Sequence, residues 1–108
     1  MGRQARKQAK ALLHQLKLGP SADAAIGVYS GGMRRRLIFA QACLGSPKIL
    51  ALDEPTAELD AESATAIALL VNEMSASAIV LVSTHNTDHF AGVGARSFRV
   101  DDGRVAQL

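Results

Sequence analysis

Two short apolar runs constrain this chain more than any other feature. Ile49-Leu50-Ala51-Leu52 leads into Asp53-Glu54, and Ala78-Ile79-Val80-Leu81-Val82 leads into Ser83-Thr84-His85. Apolar runs of this length, bounded by polar residues, read as buried strands. Pro55 forbids simple continuation of the first. Between the runs, Ile67, Leu70, Val71 and Met74 recur at helical spacing. They predict a helix over residues 61–75, capped by Asp60 or a neighbour and favoured by Glu62 in its first turn. A strand–helix–strand order with apolar strands implies a parallel sheet covered by helices, and hence an α/β fold.

The remaining segments add to this unit. Residues 3–18 read as a helix with Ala5, Ala9, Leu12, Leu13 and Leu16 at three- and four-residue steps, ended by Gly19-Pro20. Residues 21–29 read as loop. Ser30 is placed to cap a helix through about Leu44, with Met33, Leu37, Ile38, Ala40 and Leu44 as its apolar positions. Gly45-Ser46-Pro47 stops it. A short helix fits residues 86–91. Residues 96–100 form a third strand, and the Asp102-Gly103 turn leads to a brief fourth over 105–107.

Composition narrows the class. The chain has 108 residues, 48% hydrophobic and 20% charged, which excludes wholesale disorder. No run of about 18 apolar residues is present to span a membrane. The basic N-terminus is not followed by the apolar stretch of a secretory signal. A single cysteine, Cys43, allows no internal disulfide and fits a reducing cytosol. Charge is divided unevenly: residues 1–48 hold nine bases and one acid, whereas residues 49–108 hold three bases and nine acids. Such asymmetry can mark a nucleic-acid surface, and a basic amphipathic helix such as residues 3–18 can sit on a membrane, although a solvated face on a packed helix gives the same pattern. A solvated basic helix beside an acidic catalytic segment is the plainer reading. The aromatics, Tyr29, Phe39, Phe90 and Phe98, cannot build a stacking ladder for single strands. No nucleic-acid partner is expected.

Four pieces stand in order: Ser30-Gly31-Gly32 opening a helix, Asp53-Glu54 after an apolar strand, Glu58-Leu59-Asp60 just beyond, and His85 after the next apolar strand. Gly31 and Gly32, after Ser30 at a helix start, leave backbone N–H groups unobstructed where the helix dipole favours phosphate. A capped glycine-rich loop would look the same. Asp53 and Glu54 leave a strand end in different directions, so one carboxylate can address magnesium while the next orients water. His85 ends the second strand on the same sheet edge, where open α/β sheets bind ligands. His14 and His89 are read as structural or solvated.

Together these pieces resemble the C-terminal half of an ATP-binding-cassette (ABC) ATPase, the nucleotide-binding domain of ABC transporters. Tyr29-Ser30-Gly31-Gly32-Met33 resembles the signature motif. Ile49 through Thr56 resembles Walker B with its following glutamate, Ala57-Glu58-Leu59-Asp60 the D-loop, and Ser83-Thr84-His85 the switch-histidine segment. Tyr29 stands where leucine is more usual, Met33 where glutamine is, and Glu58 where a small residue or glycine is often seen. The form running into Arg34-Arg35-Arg36 resembles exporter subunits. The resemblance implies a partial P-loop NTPase fold lacking the Walker A strand–loop–helix. Residues 1–47 would be the helical, signature-bearing part and residues 48–108 the Walker B, D-loop and switch-histidine part.

The resemblance also assigns roles. Asp53 would hold Mg2+, Glu54 would polarise the attacking water, and His85 would contact the γ-phosphate of ATP. Ser30, Gly31 and Gly32 would clasp ATP held by a second ATPase domain in a head-to-tail dimer, and Asp60 would communicate across that interface. A transmembrane subunit would be the other partner, placing the chain at the cytoplasmic face of the membrane. Walker A requires a Gly-Lys pair, and Lys7, Lys10, Lys17 and Lys48 all follow other residues. The isolated chain is therefore expected to be inactive, with an exposed hydrophobic strand edge and a tendency to self-associate. Two other readings stay open: a non-transport ABC-type ATPase acting on nucleic acid or ribosomes, and a non-enzymatic half-domain.

Overall fold

A computed structural model describes residues 2–21, 30–91 and 95–108. Its elements are α1 (Arg3–Gln15), α2 (Gly31–Cys43), β1 (Ile49–Asp53), α3 (Ala61–Met74), β2 (Ile79–Ser83), β3 (Phe98–Asp101) and β4 (Arg104–Gln107). Short 3-10 turns occupy Gly19–Ser21 and Thr87–Phe90. Tyr29 and the rest of the expected loop over 22–29 lie outside the described residues.

The parallel pair is present: β1 runs beside β2 from Ile49↔Ile79 to Asp53↔Ser83. Its inner face contributes Leu50, Leu52, Val80 and Val82 to a core built with Leu12 and Leu16, with Phe39, Ala40 and Cys43 of α2, and with Ile67, Leu70 and Val71 of α3. The expectation of a sheet covered by helices holds for that face alone. On the other, Ile49, Ile79 and Leu81 stay 60–65% exposed. No described element lies over it to exclude water.

Helix ends follow local chemistry. α1 stops three residues before the expected Leu18. Lys17 turns left-handed at φ 65°. Leu18 N–H then donates to Leu13 O and Lys17 N–H to His14 O, a Schellman closure formed before Gly19-Pro20. This closure also buries Leu16 and Leu18. α2 begins at its Ser30 cap as expected, but its buried face is Phe39, Ala40 and Cys43, and Ile38 is exposed. Of the apolar positions predicted there, Ala40 is buried and Leu44 packs against the core, whereas Ile38 faces solvent because the core meets the helix mainly near its end. Burial pushes the Cys43 thiol up to about 11, which keeps it a neutral apolar group.

β3 and β4 form a separate antiparallel hairpin, turned by Asp102 at φ 53° and Gly103 at φ 74°. This is the primed turn that an Asp-Gly pair favours. β3 starts two residues later than expected, and both strands are exposed along their length.

Ile67 has no solvent exposure and sits at the centre of this core. Ile67→Ala should cost about 2–5 kcal/mol, a large share of a small domain's stability. Urea denaturation should show the midpoint fall accordingly.

Candidate functional site at the sheet edge

The register of β1 on β2 builds the site. It sets Asp53 opposite Ser83, so the acids beyond one strand meet the polar residues beyond the other. Ser83 Oγ donates to Asp53 Oδ1. Glu54 N–H donates to Ser83 O at 2.7 Å, adding one rung past the end of β1. Pro55 disfavours the right-handed helical region for the residue before it. Glu54 adopts φ 48°, a left-handed conformation uncommon for a residue with a Cβ.

That turn aims the Glu54 carboxylate at the loop after β2. Its Oε1 accepts the His85 backbone N–H at 2.9 Å, and its Oε2 accepts the Thr84 hydroxyl at 3.4 Å. The His85 imidazole Nε2 lies 3.5 Å from the same Oε1, with its ring open to solvent. Asp53, Glu54 and His85 are thus brought together, as the sequence reading expects. Thr84 and Ser83 are partners that reading did not single out. Their signal was their place directly after the second apolar run, as Asp53 and Glu54 stand directly after the first. Asp53 offers one carboxylate, and magnesium bound with a nucleotide needs only one or two from protein, the rest being water and phosphate. The donor set fits such an ion.

A second group gathers at two helix starts. Ser30 Oγ accepts Met33 N–H at 3.1 Å and caps α2. Among the described residues a Cβ built on Gly31 would meet nothing within 4 Å, which leaves room for a ligand against that backbone. Gly32 lies against Leu59, whose Cδ2 would stand 3.5 Å from an added Cβ. Arg36 ties this start to α1: its Nη1 donates to Leu16 O at 2.9 Å and its Nε to Gly32 O at 3.3 Å.

Asp60 caps α3 by accepting Ser63 N–H at 2.7 Å. Hydrogen bonds from the Ser63 backbone and side chain, with a smaller contribution from the Arg36 charge, hold its carboxyl below the usual 3.8. Glu58, two residues earlier, has φ 62°, the region that favours glycine. His89 takes the structural role expected of it, bonded to Thr56 Oγ1 at 2.7 Å.

Comparison with known proteins matches most of the chain. A family model described as ABC transporter matches residues 3–57. The chain is 38% identical over 105 residues to the daunorubicin resistance ATP-binding protein DrrA2 of Streptomyces coeruleorubidus, covering 96% of this chain and 33% of that protein. It is 33% identical over 108 residues to the aliphatic sulfonates import ATP-binding protein SsuB 1 of Rhizobium johnstonii, covering 96% of this chain and 38% of that one. The chain thus spans about a third of the length of these relatives. Its fold matches that of MJ1267, an ATP-binding cassette of an ABC transporter, with a TM-score of 0.78 at 22% identity, over 98% of this chain and 43% of that one.

Asp60 also generates a pH dependence. Its lowered folded value means that the ionised cap stabilises α3 above the ordinary carboxylate range. That stability is lost as pH falls from about 4 through the lowered value. Asp60→Asn preserves a capping oxygen and removes the titration. Thermal melts should show the variant near wild type at neutral pH but with a smaller loss between pH 5 and 2.

Proposed function

This chain belongs to the ABC transporter family, and on that premise we propose that it is the C-terminal half of an ATP-binding subunit whose hydrolytic side is the Asp53–Glu54–His85 edge. The observation that carries the reading is the seating of Glu54. One oxygen of its carboxylate meets both the backbone and the ring of His85, while the neighbouring Asp53 is anchored separately on Ser83. Two carboxylates held by different partners at one sheet edge can take different tasks.

In this reading Asp53 holds Mg2+, which when bound neutralises phosphate charge. Glu54 orients and deprotonates the attacking water, and His85 steadies both the carboxylate and the terminal phosphate. Phosphoryl transfer is mainly positioning and electrostatics, so these residues need ATP placed beside them. The chain's own residues include no Gly-Lys pair to do that. The exposed face of β1 and β2, bearing Ile49, Ile79 and Leu81, supports the inference that a P-loop-bearing polypeptide covers it and delivers the phosphates. Ser30, Gly31, Gly32 and Asp60 then serve the opposite side of a head-to-tail pair of ATPase domains. The open backbone at Gly31 supports this placement.

The working location is the cytoplasmic face of a membrane, beside a transmembrane subunit. Among the described residues no helix is long and apolar enough to cross the membrane itself. Export is the direction we favour. The Met33-Arg34-Arg35-Arg36 continuation of the signature segment and the likeness to the daunorubicin resistance protein support it.

Two experiments test this. Calorimetric titration of the chain alone with magnesium-ATP should show no micromolar binding; micromolar affinity would remove the requirement for a P-loop partner. In a complete subunit carrying this segment, Glu54→Gln should slow turnover by about 10²–10⁴-fold while ATP still binds, as measured by steady-state ATPase assay and nucleotide retention. Unchanged turnover would take Glu54 out of the general-base role.

A further inference from the structure

The strand ladder ends at Asp53 and Ser83, yet the residues that matter most lie just beyond it. Something other than the sheet must hold Glu54 in its left-handed turn and keep the His85 loop against it. Conformations of that kind persist only where surrounding contacts over-determine them.

Those contacts converge on His89. Thr56, two residues after Glu54, is buried with 2% exposure, and a hydroxyl so enclosed needs a hydrogen-bond partner. That partner is His89 Nδ1 at 2.7 Å. The other ring nitrogen, Nε2, faces the Asn86 side-chain amide nitrogen at 3.3 Å. An amide nitrogen only donates, so Nε2 accepts, and the ring proton sits on Nδ1, donated to Thr56 Oγ1. Asn86 in turn donates its backbone N–H to Thr84 Oγ1 at 2.9 Å, and Thr84 donates to Glu54 Oε2. The chain from Glu54 to Thr56 closes the circuit. Phe90, next to His89, packs against the main core and anchors the whole turn.

We propose that His89 is a positioning residue, the keystone of a hydrogen-bonded ring through Thr56, Glu54, Thr84 and Asn86 that fixes the Glu54 carboxylate against His85. The inference rests on the reading of Glu54 and His85 as the hydrolytic pair only for its importance to catalysis; the ring itself can be tested without nucleotide. Imidazole suits the position because its two nitrogens are held apart by a rigid ring. It spans from the turn after β1 to the loop after β2, where a single hydroxyl reaches one of them.

The test is hydrogen exchange on the full chain, resolved to single amides by fragmentation mass spectrometry. His89→Ala should speed exchange of the His85 amide by about two- to tenfold, the factor one lost hydrogen bond is worth. The amides of Ile67 and Leu70 in α3 should be unchanged. His89→Asn, whose side chain can reach Thr56 from the position of Nδ1 but leaves Asn86 without its acceptor, should recover only part of the protection, and full recovery would remove Asn86 from the ring. Thr56→Val should reproduce the effect of His89→Ala. An unchanged His85 amide in His89→Ala would overturn the proposal. So would acceleration by the same factor in α3, which would make His89 merely a stabilising residue. Should His89→Ala fail to fold, NMR of the 15N-histidine-labelled wild-type chain decides. One fixed tautomer protonated at Nδ1 supports the ring, and a rapid average of two tautomers sinks it. None of these readouts involves ATP, so a failure here is distinct from failure of the ATPase reading.

Discussion

The parallel pairing of β1 on β2 is the constraint from which the rest of the molecule follows. Side chains alternate across a strand, so a one-residue slip would exchange the two faces of β1. Leu50 and Leu52 would leave the core, and Ile49 and Ala51 would enter it. The same slip would take Asp53 from Ser83 and carry Glu54 away from the Thr84 hydroxyl and the His85 N–H. Packing and chemistry therefore select one register. The apolar demand of α3 and α1 on the inner face fixes where the carboxylates arrive.

The outer face of the same pair obeys a different logic. Ile49, Ile79 and Leu81 are strand residues by composition and buried residues by hydropathy, yet they face water. The hairpin of β3 and β4 repeats the pattern, with Phe98, Val100 and Val105 exposed. Apolar faces of this extent on a small sheet mark surfaces made to be covered. The stability available from the described core is correspondingly limited, because apolar strand surface contributes nothing while it stays exposed.

Much of this was legible in the residues themselves. The two apolar runs, the caps at Ser30 and Asp60 and the Asp-Gly hairpin each rest on local rules: periodicity, a side-chain oxygen at a helix start, a turn that tolerates positive φ. Their order alone implies that Asp53, Glu54 and His85 share one sheet edge. What was not legible depends on long-range packing. The burial of Cys43 and exposure of Ile38 follow from which turn of α2 meets the core, and periodicity cannot choose among turns. The early end of α1 depends on Lys17 adopting a conformation that glycine usually supplies. The partnership of His89 with Thr56 joins residues 33 apart, with no motif between them.

The turn between β1 and α3 shows which forces do the positioning. It begins at Glu54 and carries Glu58, both left-handed, and such conformations cost roughly 1–2 kcal/mol each for residues with a Cβ. The Arg35–Glu58 ion pair, 3.6 Å apart on the surface, contributes at most about 1 kcal/mol and cannot offset that alone. Short-range hydrogen bonds from Ala57 N–H to Glu54 O and from Leu59 N–H to Thr56 O hold its bends. Leu59 packs against the core beside Gly32, and Thr56 is sealed beneath His89. Burial at these two points, rather than charge on the rim, fixes the path from the carboxylates to the Asp60 cap. The start of α2 is held to the same path through Leu59. The Asp53–Glu54–His85 edge and the start of α2 are therefore joined by one short, packed turn, and its two strained residues sit where its direction changes.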